Sequence, residues 1–126
     1  MPNKQKSRGD QFERDVRMLA VMNGFPGAQR TRAGYQRDAG DIHLDPGVGL
    51  SPGVIVQCKW VQSPNWSEWD RQLAEQKDES GAEVALIAMK RSRPGKSPLL
   101  FAVMPLEDTF TLLRRAGYGT PLEETE

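Results

Sequence analysis

"VIVQCKW", residues 54–60, begins as a buried strand and finishes on an amide, a thiol, an ammonium and an indole. Its three β-branched residues follow the turn signals Pro46-Gly47 and Pro52-Gly53, which mark the start of a strand. Successive side chains of a strand point to opposite faces, so Val54, Val56, Cys58 and Trp60 share one face, and Ile55, Gln57 and Lys59 share the other. Gln57 and Lys59 are therefore expected to project side by side. In the preceding segment "DIHL", residues 41–44, Asp41 and His43 share a face, and pairing the two strands can bring Asp41 beside Gln57 and Lys59. A carboxylate, an amide oxygen and an ammonium then converge. That set suits a hard divalent cation held by oxygen ligands, with the lysine orienting a water or neutralising phosphate charge.

The remaining elements follow outward from this strand. Upstream, Phe12, Val16, Leu19 and Ala20 recur as one apolar helical stripe that Asn23-Gly24 stops, which predicts a helix over about 9–23. A short strand is allowed near Ala28 to Arg32. Downstream, Ser67 with Asp70 three residues on reads as a capping box opening a polar helix that Gly81 ends. "EVALIAMK" and "PLLFAVM" are two further apolar strands on either side of the basic turn "RSRPGKS", and Leu106, Phe110 and Leu113 form a last helical stripe ended by Gly117. The order α-β-β-β-α-β-β-α predicts an α/β fold, a mixed central sheet flanked by helices. One domain spanning 1–126 is expected, with a basic N-terminal arm at 1–8 and an acidic, frayed tail from about 117 to 126.

Bulk properties narrow the classes of function. The single Cys58 cannot form an internal disulfide, no apolar run approaches a membrane span, and "MPNKQKSRGD" lacks the apolar stretch of a signal peptide. An intracellular, cytoplasmic protein with no membrane partner is the expectation. The net charge is zero, with 17 basic and 17 acidic residues, yet the charges are segregated. Lys4, Lys6, Arg8, Arg14, Arg17, Arg30, Arg32 and Arg37 outnumber Asp10, Glu13, Asp15 and Asp38 over residues 1–39, a local balance of +4. Lys90, Arg91, Arg93 and Lys96 stand without an acid between 90 and 101. Two basic segments of this kind can form one polyanion-binding face, or they can be ordinary solvated surface.

The helix carrying "FERD", the arginine-rich connection, "GDIHL" and the strand ending "VQCK" together resemble the PD-(D/E)XK nuclease superfamily, and within it the archaeal and phage Holliday junction resolvases. The likeness covers roughly residues 7–113 and implies a restriction-endonuclease-like fold. It also implies an Mg²⁺-dependent endonuclease, with Mn²⁺ as a substitute, that acts in DNA recombination on four-way junctions, works as a homodimer and can be phage-encoded. By the same resemblance Glu13 corresponds to the helix glutamate that helps hold metal, Asp41 to the metal-binding aspartate and Lys59 to the motif lysine. Arg14 and either Arg30 or Arg32 correspond to residues approaching DNA phosphates. With them, Lys4, Lys6, Arg8, Arg37, Lys90, Arg91, Arg93 and Lys96 make up the candidate DNA-binding set. The departure is Gln57, where the family carries Asp or Glu; an amide carbonyl remains a legitimate ligand for a hard cation. Asp38 is a substitute if its loop folds back.

Every one of these residues also has an ordinary reading. Glu13, three residues after Asp10, can belong to a helix cap; Asp41 after Gly40 is a common turn residue; a lysine at a strand end commonly snorkels to water. The coincidence of all three favours a site. Cys58 points away from it and reads as a small core residue, and a lone His43 reads as structural rather than as a general base. Trp60, Trp66 and Trp69 read as cover for the sheet edge before they read as base-stacking platforms. Phosphodiester hydrolysis, junction binding without cleavage, and a protein with no DNA affinity are the three functions that remain.

Overall fold

The computed structural model describes residues 4–30, 42–44 and 53–120. Its elements are α1 (Lys4–Met22), β1 (Gln29–Arg30), β2 (Ile42–His43), β3 (Val54–Lys59), α2 (Trp66–Ser80), β4 (Val84–Arg93), β5 (Lys96–Val103) and α3 (Leu106–Arg115). This is the expected order. The strands form one five-stranded mixed sheet in the order β1-β2-β3-β4-β5, with β3 and β4 parallel and every other pair antiparallel. A parallel pair cannot be joined by a tight turn, and α2 supplies the crossover between β3 and β4.

Two cores lie on the two faces of the sheet. On one, Ala28, Ile42 and Val56 are buried and meet Val16, Ala20 and Val21 of α1, with Cys58, Leu86 and Ala88 packed against them. On the other, Trp69 and Leu73 of α2 pack on Ala85, Ile87 and Met89 of β4, joined by Val103. The unbroken apolar runs of β3 and β4 have this cause, because a strand covered by helices on both faces has no polar side to display. Cys58 takes the core position expected of it.

Several boundaries differ from expectation, each for a local reason. Helix α1 begins at Lys4 rather than near residue 9, since the straight-chain residues in "KQK" are good helix formers and extend it. Helix α2 is capped by Asn65, whose side chain accepts from the Glu68 N–H at 3.2 Å, rather than by Ser67. Asn is at least as good a cap as Ser, and using it adds a turn's start to the helix. "RSRPGKS" is not a loop: β4 runs through Arg93, β5 starts at Lys96, and only Pro94 and Gly95 turn the chain, Gly95 at φ 67°. A register irregularity between Arg91 and Arg93 accompanies the turn. Helix α3 ends in a Schellman motif, with Gly117 at φ 102° and the Tyr118 N–H reaching the Leu113 carbonyl at 3.0 Å. The predicted turn at Pro46-Gly47 and the tail beyond residue 120 lie outside the described residues. No helix among the described residues is long and apolar enough to cross a membrane.

Candidate functional site

The register of β3 decides which side chains meet. Gln57 pairs with Ile87 and Lys59 with Met89, which places both on the α2 face, side by side as the alternation predicts. What they meet there was not anticipated. Helix α2 presents Gln72 and Gln76, one turn apart and beside Trp69 and Leu73. Gln57 donates its side-chain N–H to Gln76 Oε1, and Lys59 Nζ donates to Gln72 Oε1 at 2.8 Å. The Lys59 ammonium also lies 5.5 Å from the centre of the Trp69 ring. The result is a polar ladder between strand and helix, inside a layer that is otherwise apolar. Its sequence signal was available: in "WDRQLAEQ" the i, i+4 pair Gln72 and Gln76 tracks the buried pair Trp69 and Leu73.

Gln57 is 1% exposed, and its Oε1 is buried with no hydrogen-bond partner among the described residues. An unpaired buried carbonyl oxygen costs about 1–3 kcal/mol, so it needs an account. An amide oxygen without a donor is the kind of hard ligand that Mg²⁺ or Ca²⁺ accepts. As one neutral ligand Gln57 fits a divalent cation. The described residues do not complete such a site, for no group of three or more His, Cys, Asp or Glu side chains among them is arranged to hold a metal. Asp41, the expected carboxylate, lies outside the described residues, as do Asp38, Arg32 and Arg37.

Glu13 is placed differently. It receives Arg30 through both Nε (3.2 Å) and Nη2 (3.0 Å), and Arg30 also reaches Asp10 at 3.3 Å. Arg30 pairs across the sheet with Ile42 and so shares the α1 face, opposite Gln57 and Lys59. Phe12, beside Glu13 in α1, makes an edge contact with Trp60, the residue after Lys59, at 6.4 Å between ring centres. Glu13 and Gln57 therefore lie on opposite faces of the sheet and do not meet.

The basic residues are spread over several elements. Lys90 stacks 3.9 Å from the centre of the Trp60 ring, and Arg91 donates to the Val61 and Gln62 carbonyls at 3.2 Å each. Arg93 donates to the Ser97 carbonyl at 2.8 Å, and Lys96 is exposed at the hairpin tip. Arg8 and Arg14 are exposed on α1; Lys4 and Lys6 lie in the same helix, their side chains outside the described residues. Trp60 therefore carries a cation rather than a base, whereas Trp66 is half exposed and meets Trp69 edge-on at 5.2 Å. His43, half-buried, pairs with Gln29 and Ile55 as an ordinary strand residue. Beside the ladder, Trp66, Trp69, Leu73, Met104 and Pro105 help to line a shallow apolar cavity of about 220 Å³. No family model, curated protein or solved structure matches this chain.

Proposed function

We propose that the protein is a metal-dependent, structure-selective DNA endonuclease of the PD-(D/E)XK type, acting as a Holliday junction resolvase. The observation that carries this reading is the orphaned, buried Gln57 Oε1 one strand repeat from Lys59. It stands at the position where the resemblance expects the second acidic ligand. The element order and the mixed sheet are compatible with a restriction-endonuclease-like topology. In this reading Asp41, Glu13 and Gln57 would hold Mg²⁺ or Mn²⁺, an ion whose chemistry there would be to polarise the scissile phosphate and lower the pKa of a bound water.

Roles for the chain's own residues follow. Arg30 holds the Glu13 carboxylate in one orientation through its two nitrogens. Gln72 anchors the Lys59 ammonium, so the lysine is pre-aimed and can stabilise charge developing on the phosphate without reorganising. The exposed cations of α1 and of the β4–β5 hairpin grip phosphates irrespective of sequence.

A second reading has its own support. The bonds from Gln57 to Gln76 and from Lys59 to Gln72 occupy both motif side chains in a strand-to-helix ladder, as a catalytically silent DNA-binding module of the same fold would. Labelled four-way junction and linear duplex, each incubated with the protein and Mg²⁺, separate the cases. Junction-selective nicking that EDTA abolishes supports the endonuclease. Cutting of both substrates indicates another nuclease of the superfamily, binding without nicking the silent module, and no binding at moderate salt rejects both DNA readings.

A further inference from the structure

The apolar stripe of α2 carries one carboxylate. Trp66, Trp69, Asp70 and Leu73 recur at i, i+3, i+4 and i+7, and Asp70 stands where a helix that only covers a sheet would place an apolar residue. The capping box that would employ Asp70 is not formed, because Asn65 caps the helix. The Asp70 side chain makes no hydrogen bond or ion pair among the described residues. Asp70 instead helps to line the cavity of about 220 Å³ beside the ladder, and it is the only charged residue among those described there. The rest of the lining is apolar. Helix α2 supplies Trp69 and Leu73, and the end of β5 with the approach to α3 supplies Val103, Met104 and Pro105. Trp66, 51% exposed, meets Trp69 edge-on at 5.2 Å with the rings 78° apart, so the two indoles form a corner. Helix α3 leaves the cavity open: none of the described lining residues belongs to it, and its stripe of Leu106, Phe110 and Leu113 is exposed.

We propose that this cavity binds the alkylated ammonium head of a small organic cation, with Trp66 and Asp70 as the recognising groups. An indole face attracts a cation through the ring quadrupole, and a carboxylate attracts it through its charge. Lys59 already lies over Trp69, which leaves Trp66 as the unclaimed ring. An alkylated ammonium fits where a primary one does not. A primary ammonium needs partners for three N–H groups, and the described lining offers one charged acceptor, Asp70. A trimethylammonium group carries its charge under an apolar surface and forfeits no hydrogen bond on entering. Size points the same way, since about 220 Å³ is below the roughly 300 Å³ at which pockets for drug-sized ligands begin and suits a single head group. A nucleobase stacked on Trp66 is the competing occupant, but its phosphate would meet the one charge of the described lining, which is negative. This inference rests on the cavity, not on the nuclease reading, and stands or falls apart from it.

The test is a titration of the full chain with choline at constant ionic strength, read from the indole N–H signals of its three tryptophans in nuclear magnetic resonance. Trp60 packs against Phe12 on the α1 face and serves as the internal control. Saturable shifts at Trp66 and Trp69 with Trp60 unmoved, and a dissociation constant on the order of 1 mM, are expected. The neutral isostere of choline, in which carbon replaces nitrogen, is expected to bind at least about fivefold more weakly. Asp70→Asn is expected to weaken choline about threefold to tenfold and to leave the neutral isostere unchanged, a difference that a structural role of Asp70 would not produce. Trp66→Ala is expected to weaken choline about tenfold with an unchanged far-ultraviolet circular dichroism spectrum, since Trp66 is half exposed. Absence of saturable shifts at choline concentrations up to about 20 mM overturns the proposal. So does equal affinity for the neutral isostere, or an Asp70→Asn variant that binds choline as the wild type does. Adenosine moving the Trp66 and Trp69 signals where choline does not would make the cavity a base platform and overturn the proposal too.

Discussion

Gln57 is the residue on which the competing readings divide. Its nitrogen is satisfied by Gln76 and its oxygen is not, so the wild-type side chain carries a desolvation cost unless a cation repays it. Two outcomes follow. Without divalent metal, Gln57→Met removes the orphan oxygen at nearly constant volume but also the N–H donated to Gln76, and urea unfolding in EDTA is expected to show stability within about 1 kcal/mol of the wild type. With Mg²⁺, the wild type is expected to gain thermal stability and the Met variant not to, because only the former offers the ligand. A loss above about 2 kcal/mol in EDTA would mean that the polar contacts of the side chain, the bond to Gln76 included, outweigh the cost of the orphan oxygen. In cleavage assays Gln57→Glu is expected to lower the Mg²⁺ concentration giving half-maximal rate, since a full negative charge draws the cation more strongly than a dipole. Asp41→Asn is expected to abolish nicking while junction binding stays within about twofold; full activity in that variant would remove Asp41 from the site.

Helix α2 shows at the element scale what local rules decide and what they miss. The sequence pattern puts the cap at Ser67, but the oxygen that accepts from the Glu68 N–H is that of Asn65. Asn65→Ala is therefore expected to cost about 1 kcal/mol in chemical denaturation. Ser67→Ala is expected to stay within about 0.5 kcal/mol, and the reverse pattern would restore the capping box at Ser67. The same helix buries only Trp69 and Leu73. Leu73→Ala is expected to cost about 3 kcal/mol, because the rigid sheet beneath it at Ala85 and Ile87 cannot collapse into the space.

Over the whole molecule, the zero net charge hides a basic hairpin and a basic first helix, and salt dependence of binding measures whether they act on a polyanion. Replacing Lys96 by Ala at the hairpin tip is expected to weaken binding to all DNA sequences alike and to flatten the log–log salt slope by about 0.9 if one phosphate contact is lost. An unchanged slope would set the hairpin away from DNA. Arg91 and Arg93 are unsuited to that test, since their guanidiniums hold the carbonyls of Val61 and Gln62 and of Ser97, and their loss would also loosen the link from β3 to α2 and the hairpin itself. The sequence by itself determined the element order and the face shared by Gln57 and Lys59. Both follow from periodicity and turn chemistry, which act over a few neighbouring residues. It also marked Cys58 as core and Gly81 and Gly117 as helix ends, for the same local reason. Only the tertiary structure decided that Gln72 and Gln76 meet the motif side chains and that Glu13 is held by Arg30 on the other face. It alone turned the stripe of α3 outward. A helical stripe announces that an apolar face exists, but which surface lies opposite it is set by the packing of elements distant in the chain, and α3 is held to the body through Lys77 and Glu83 on its polar side.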